Sequence, residues 1–79
     1  MKTPKDITGS ELAKLAGKYG YEITRQTGSH IRLTTQLNGE YHITIPSHNP
    51  LKIGTISSII KDIAEHLEMD KSELSDELF

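Results

Sequence analysis

The sequence predicts an α+β domain: a helix, a three-stranded antiparallel sheet, a second helix and a short acidic C-terminal helix. Three observations carry the prediction. Apolar residues recur at helical spacing in two stretches, three runs between those stretches alternate with period two, and glycine-bearing turns separate the runs. A chain of 79 residues is expected to form one domain, 1–79, with a thin core.

The first helix is announced by Thr8-Gly9-Ser10-Glu11, a capping box with Thr8 as N-cap and Glu11 three residues on. Leu12, Leu15, Ala16 and Tyr19 then share one helical face, and Gly20 suits a left-handed C-terminal residue, so the helix covers about 9–19. In the strands, Tyr21 and Ile23 alternate with Glu22 and Thr24. Ile31 and Leu33 alternate with His30, Arg32 and Thr34, and Tyr41, Ile43 and Ile45 with His42 and Thr44. A two-residue Asn38-Gly39 turn would set Leu33 against Thr44 and mix apolar with polar residues on one face. A three-residue loop, Leu37-Asn38-Gly39 with Gly39 left-handed, sets Leu33 opposite Ile43 and Ile31 opposite Ile45, and burial favours this register. The same logic makes Thr27-Gly28-Ser29 the first loop and pairs Ile23 with Leu33. The open face is then expected to carry Glu22, Thr24, Gln26, His30, Arg32, Thr34, His42 and Thr44. After the loop 46–52, Thr55 is the expected cap of a second helix with the stripe Ile56, Ile59, Ile60, Ile63 and Leu67. Asp70-Lys71-Ser72-Glu73 repeats the capping pattern before Leu74 and Leu78, as a short third helix or a frayed tail. Both main helices should cover one face of the sheet.

Composition removes several classes of chemistry. The chain has no cysteine, which excludes disulfide frameworks, thiol nucleophiles and cysteine-based zinc sites, and suits a cytoplasmic protein. The N-terminus has no apolar run of the signal-peptide kind, and no stretch reaches the ~18–20 apolar residues that span a membrane, so no membrane association is expected. The net charge of −2 hides an asymmetry: residues 1–61 hold eight basic and four acidic groups, residues 62–79 one basic and seven acidic. The body is mildly basic, as a phosphate binder requires. The plain reading of the acidic segment is a solvated helix face.

The carboxylates are dispersed or confined to the acidic segment, and no glycine-rich phosphate loop is present. Four histidines remain: His30, His42, His48 and His66. They fit no spaced metal motif, and a two-histidine metal site from His30 and His48 has no neighbouring acid, so neither metal nor cofactor is expected. The register puts His30 opposite Pro46 and His42 opposite Thr34, about 13 Å apart along the sheet at ~3.3 Å per residue. Those two cannot serve one reacting atom. His48 follows Pro46 by two residues and could approach His30, whereas His66 reads as a surface residue late in the second helix. Histidine alone suits RNA cleavage: its ordinary pKa near ~6.5 lets it move protons at neutral pH, and RNA supplies its own nucleophile, the 2′-hydroxyl. Arg32, Lys52 and Arg25 are candidates to meet phosphate charge. The bland alternative for an exposed strand histidine is solubility.

Gly28-Ser29-His30 opening the second strand resembles the HicA family of toxins. So does the later run Ile45-Pro46-Ser47-His48, Lys52-Ile53-Gly54-Thr55-Ile56 and Ile59-Ile60. The resemblance covers roughly Leu12 to Leu74. It implies a fold like that of double-stranded-RNA-binding domains, and a toxin of a type II toxin–antitoxin system that cleaves mRNA and is masked by a HicB-like antitoxin. The family's active-site histidine is the one in Gly-Ser-His, here His30. The resemblance makes His30 the expected general acid or base; the expectation of His48 as a helper rests only on its closeness in sequence to Pro46, and Gly28, Ser29, Arg32 and Lys52 are the residues expected against RNA. The chain departs from the family twice. Ile31 stands where many members carry a second histidine, and the pI near 6.0 is low for commonly basic toxins. The rival expectation is a non-catalytic RNA- or protein-binding module of the same fold.

Overall fold

The computed structural model describes residues 7–47 and 50–79. Helix α1 (Gly9–Ala16) runs into a 3₁₀ turn (Gly17–Tyr19), followed by strands β1 (Glu22–Thr27), β2 (His30–Thr35) and β3 (Tyr41–Pro46), then helices α2 (Ile53–His66) and α3 (Lys71–Leu78). The sheet is antiparallel in the order β1-β2-β3, the α+β arrangement expected.

The capping box forms as read: the Glu11 amide donates to Thr8 Oγ1 at 3.1 Å and the Thr8 amide to Glu11 Oε1 at 3.0 Å. That bond to the Thr8 amide is the main cause holding the Glu11 carboxyl below its usual range. Gly20 adopts φ +78 and ends the helical segment. The β2–β3 register is also as expected, with Ile31 opposite Ile45, Leu33 opposite Ile43, His30 opposite Pro46 and Thr34 opposite His42. The connecting loop has positive φ at both Asn38 and Gly39.

The β1–β2 connection differs from expectation. Its loop has two residues, Gly28 and Ser29, because Thr27 pairs with His30. Ile23 still faces Leu33, since a bulge at Thr24 absorbs the extra residue. Beyond the bulge the faces exchange: Arg25, not Thr24, lies opposite Arg32, and Thr27, not Gln26, lies opposite His30 on the open face. Ile23 is 52% exposed, because the helices leave the underside of this edge strand uncovered. Thr55 is not the cap of α2. The helix starts three residues earlier, with extended Lys52 as N-cap and no side-chain cap hydrogen bond.

The core lies between the sheet and the helices: Leu12, Ala13 and Ala16 of α1, Ile31, Leu33, Ile43 and Ile45 of the sheet, and Ile56, Ile59, Ile60 and Ile63 of α2. Helix α3 belongs to it. Asp70 accepts from the Ser72 amide at 2.8 Å as N-cap, Leu74 and Leu78 are buried, and Lys71 Nζ donates to Ser57 Oγ at 2.6 Å. Both main helices run in the direction of β2. At one end, a Cβ on Gly9 would collide with the Pro46 carbonyl, and the Leu51 amide donates to the Ile7 carbonyl at 2.8 Å, so α1 and α2 start beside Pro46. At the other end, the Tyr19 carbonyl faces Thr35 Oγ1 at 3.5 Å, and His66 meets the β2–β3 loop. Among the described residues, no helix is long and apolar enough to cross a membrane.

Candidate functional site

Two residues of turn place His30 at the very start of β2. Gly28 takes φ +54, a left-handed conformation that glycine adopts without strain, and the chain reverses tightly there. The Ser47 amide donates to the Ser29 carbonyl at 2.7 Å, extending the β2–β3 pairing past Pro46. His30 is therefore fixed through its backbone at an edge of the open face, between Thr27 and Pro46, with an exposed side chain. The residue after it, Ile31, is 1% exposed and faces Ile45 in the core. Alternation turns it away from any site on the open face, so the missing second histidine leaves the packing intact.

Arg32 follows two residues along β2, on the same face as His30. The bulge delivers Arg25 directly opposite it. Both side chains are exposed, and neither has an acidic partner among the described residues. Like charges held opposite each other across strands are unfavourable, and an anion between them would relieve the repulsion. The sequence named Arg25 as a candidate cation, but strict alternation would have turned it inward; only the bulge makes it Arg32's neighbour. Lys52 lies at the same end of the fold, as the N-cap of α2. The starts of α1 and α2 meet there, and the positive ends of their dipoles add to the local field. His48 falls outside the described residues.

The other two histidines are engaged elsewhere. His42 Nδ1 lies 2.8 Å from Thr34 Oγ1, and its Nε2 lies 3.2 Å from Glu40 Oε2. Thr34 Oγ1 is in turn 2.9 Å from Thr24 Oγ1, so a polar ladder crosses the sheet well away from His30. His66 is not a free surface residue. Its Nε2 lies 2.9 Å from the Leu37 carbonyl and 3.0 Å from the Gly39 carbonyl, its ring stacks on Tyr41 with centroids 4.4 Å apart, and Asn38 Nδ2 donates to its carbonyl at 2.7 Å. It fastens the β2–β3 loop to the end of α2. The sequence signal was the pairing of Asn38 with a helix-terminal histidine, which spacing alone does not expose.

Two acids of α3 lie at the end of the fold away from His30. Burial, followed by the neighbouring Glu77 and Glu73 carboxylates, pushes the Tyr19 phenol above its usual range. Tyr19 sits at the Thr35 end of the fold, so these α3 acids gather opposite the cations.

A family model described as the HicA toxin of bacterial toxin–antitoxin systems matches residues 9–64, more than half of the chain. The chain belongs to the HicA toxin family. Its helix–strand–strand–strand–helix order agrees with the double-stranded-RNA-binding-domain-like fold expected of HicA toxins. The matched span opens at the first residue of α1 and closes inside α2, so α3 and the His66 fastening lie beyond it. No curated protein and no solved structure matched the chain. Membership implies an antitoxin partner and an RNA target.

Proposed function

We propose that this HicA-family toxin is an endoribonuclease that cleaves mRNA in the cytoplasm without a metal ion, with His30 as its general acid or base. The observation that carries the reading is an exposed histidine at the start of β2, on the same sheet face as Arg25 and Arg32, two cations with no acidic partner among the described residues. In the reaction, His30 takes the proton of a ribose 2′-hydroxyl. The 2′-oxygen attacks the adjacent phosphorus, the bond from phosphorus to the 5′-oxygen breaks, and the departing oxygen receives a proton. The products are a 2′,3′-cyclic phosphate and a 5′-hydroxyl. A positioned base contributes roughly 10²–10⁴ in rate.

Arg32 and Lys52 hold the phosphate, with Arg25 beside Arg32, and cations near the developing charge stabilise the transition state. Gly28 and Ser29 let the RNA backbone approach closely, because the turn carries no bulky side chain. His48 is the helper that supplies the second proton transfer. A HicB-like antitoxin covers this face and silences the toxin. As an assembly unit, the whole chain 1–79 acts as one toxin domain.

One observation favours the rival reading of a binding module: the His30 side chain has no hydrogen-bond partner among the described residues to orient it, as a poised base commonly has. The test is cleavage of RNA by wild type and by His30→Ala in excess chelator. Cutting by wild type alone, unchanged by chelator, is expected. Equal cutting by His30→Ala removes His30 from the mechanism, and RNA binding without products selects the binding module.

A further inference from the structure

The open face holds a second feature that cleavage at His30 does not use. At the Thr35 end of the sheet, Gly20, Glu22, Thr24, Thr34, Gln36 and Leu37 enclose an open cleft of ≈ 250 Å³. That is below the ~300–1,000 Å³ of sites for drug-sized ligands, and suits one planar heterocycle. Its shape depends on particular residues. Gly20 at φ +78 leaves room for Leu37, whose Cδ1 would lie 2.7 Å from any Cβ there. Leu37 is 51% exposed although large and apolar, and it forms a wall against which a ring can lie. The bulge brings Thr24 to within 2.9 Å of Thr34 on the cleft floor.

The cleft is walled largely by apolar surface and offers two free acceptor groups, on Glu22 and Gln36. The Glu22 carboxylate has no ion pair or hydrogen bond among the described residues. The Gln36 amide nitrogen points to Glu40 Oε1 at 3.5 Å, which leaves its oxygen free to accept. Among the described residues no cation lines the cleft, so it does not suit phosphate. It suits a group presenting two adjacent N–H donors. Among RNA bases, guanine does so with N1–H and its 2-amino group, a fork that a carboxylate accepts with both oxygens.

We infer that this cleft is a guanine subsite, with Glu22 as the residue that selects the base. The inference rests on the proposed ribonuclease reading for the place of the RNA. Thr34 lies four residues along β2 from His30, about 13 Å at ~3.3 Å per residue. A strand stretched to about twice its stacked rise of ~3.4 Å per nucleotide covers that distance in roughly two nucleotides. The selected guanine therefore lies one or two positions from the bond that is cut.

The test measures binding without cleavage. Full-length His30→Ala is titrated by fluorescence anisotropy into short single-stranded oligouridines carrying one central guanosine, inosine or adenosine. Inosine keeps N1–H and lacks only the 2-amino group. The guanosine strand should bind about tenfold more tightly than the inosine strand, the loss expected when a hydrogen bond to a charged acceptor goes unmade. Adding Glu22→Gln should abolish the difference, and Thr34→Val, on the cleft floor, should weaken it. Equal affinity for all three strands, a preference that survives Glu22→Gln, or no binding to any strand would overturn the inference. Mapping wild-type cut sites separates the two claims. Cutting without guanine preference sinks the subsite and spares the nuclease; a guanine preference in binding without cutting does the reverse.

Discussion

Changing Arg25 to glutamine should make the protein more stable and a poorer RNA binder at once. Arg25 and Arg32 face each other across β1 and β2, both exposed and without an acidic neighbour among the described residues. Two like charges about 6 Å apart in a water-like medium repel by roughly 0.7 kcal/mol. Glutamine keeps most of the apolar stem of arginine, so little packing is lost with the charge. For a chain of this length the unfolding entropy is about 0.17 kcal/mol per degree, so the midpoint should rise by about 4 °C at low salt. In ~1 M salt, where the screening length falls to about 3 Å, the gain should vanish. The opposite sign is expected for RNA: the slope of log affinity against log salt should shrink by ~0.7, one phosphate contact on a single strand. Thermal melts at two salt concentrations and RNA titrations over a salt series measure both effects. A lower melting point at low salt, or an unchanged RNA slope, would refute the claim that this pair is held apart from any acid in order to meet phosphate.

Two further expectations concern the scaffold. Leu74→Ala should lower stability by about 2–5 kcal/mol in urea melts, as for a buried leucine, whereas a loosely attached tail would shift it by no more than ~0.5 kcal/mol. The Tyr21 hydroxyl is buried with no hydrogen-bond partner among the described residues. Burial, with Tyr41 and Asp62 nearby, pushes its pKa up to about 12 from 10.0. Because the folded value lies above the unfolded one, the stability it contributes is complete below pH 10.0 and declines as pH rises towards about 12. Tyr21→Phe should flatten that decline in urea midpoints measured across this window, and be neutral or mildly stabilising at neutral pH.

The parts of the fold readable from sequence are those where an apolar pattern or a cap decides. Thr8 and Glu11 form a reciprocal hydrogen-bond pair that needs only local geometry. The β2–β3 register follows from Ile31, Leu33, Ile43 and Ile45, since any slip would expose all four. The bulge at Thr24 was hidden because residues 24–27 are all polar, so nothing in β1 beyond Ile23 penalises a change of face. Its consequence, the Arg25–Arg32 pair, was hidden with it. The start of α2 was misplaced because Lys52 begins the helix by backbone conformation alone, while Thr55 looks like a better cap. The position of His30 opposite Pro46 and its distance from His42 were readable, because both follow from the same register. The cleft was not, because it needs the Gly20 turn, the Leu37 loop and the β1 bulge to coincide.

Ile7 and Leu78 lie in the same core, although they stand near opposite ends of the sequence. A ribosome delivers the first long before the last. During synthesis the sheet and α2 can be complete while the space that Leu74 and Leu78 fill is still open to water. Burial of the apolar core therefore finishes only once the segment beyond the family-matched span has been made, and the full stability of the fold arrives with the last helix rather than with the residues that carry the family pattern.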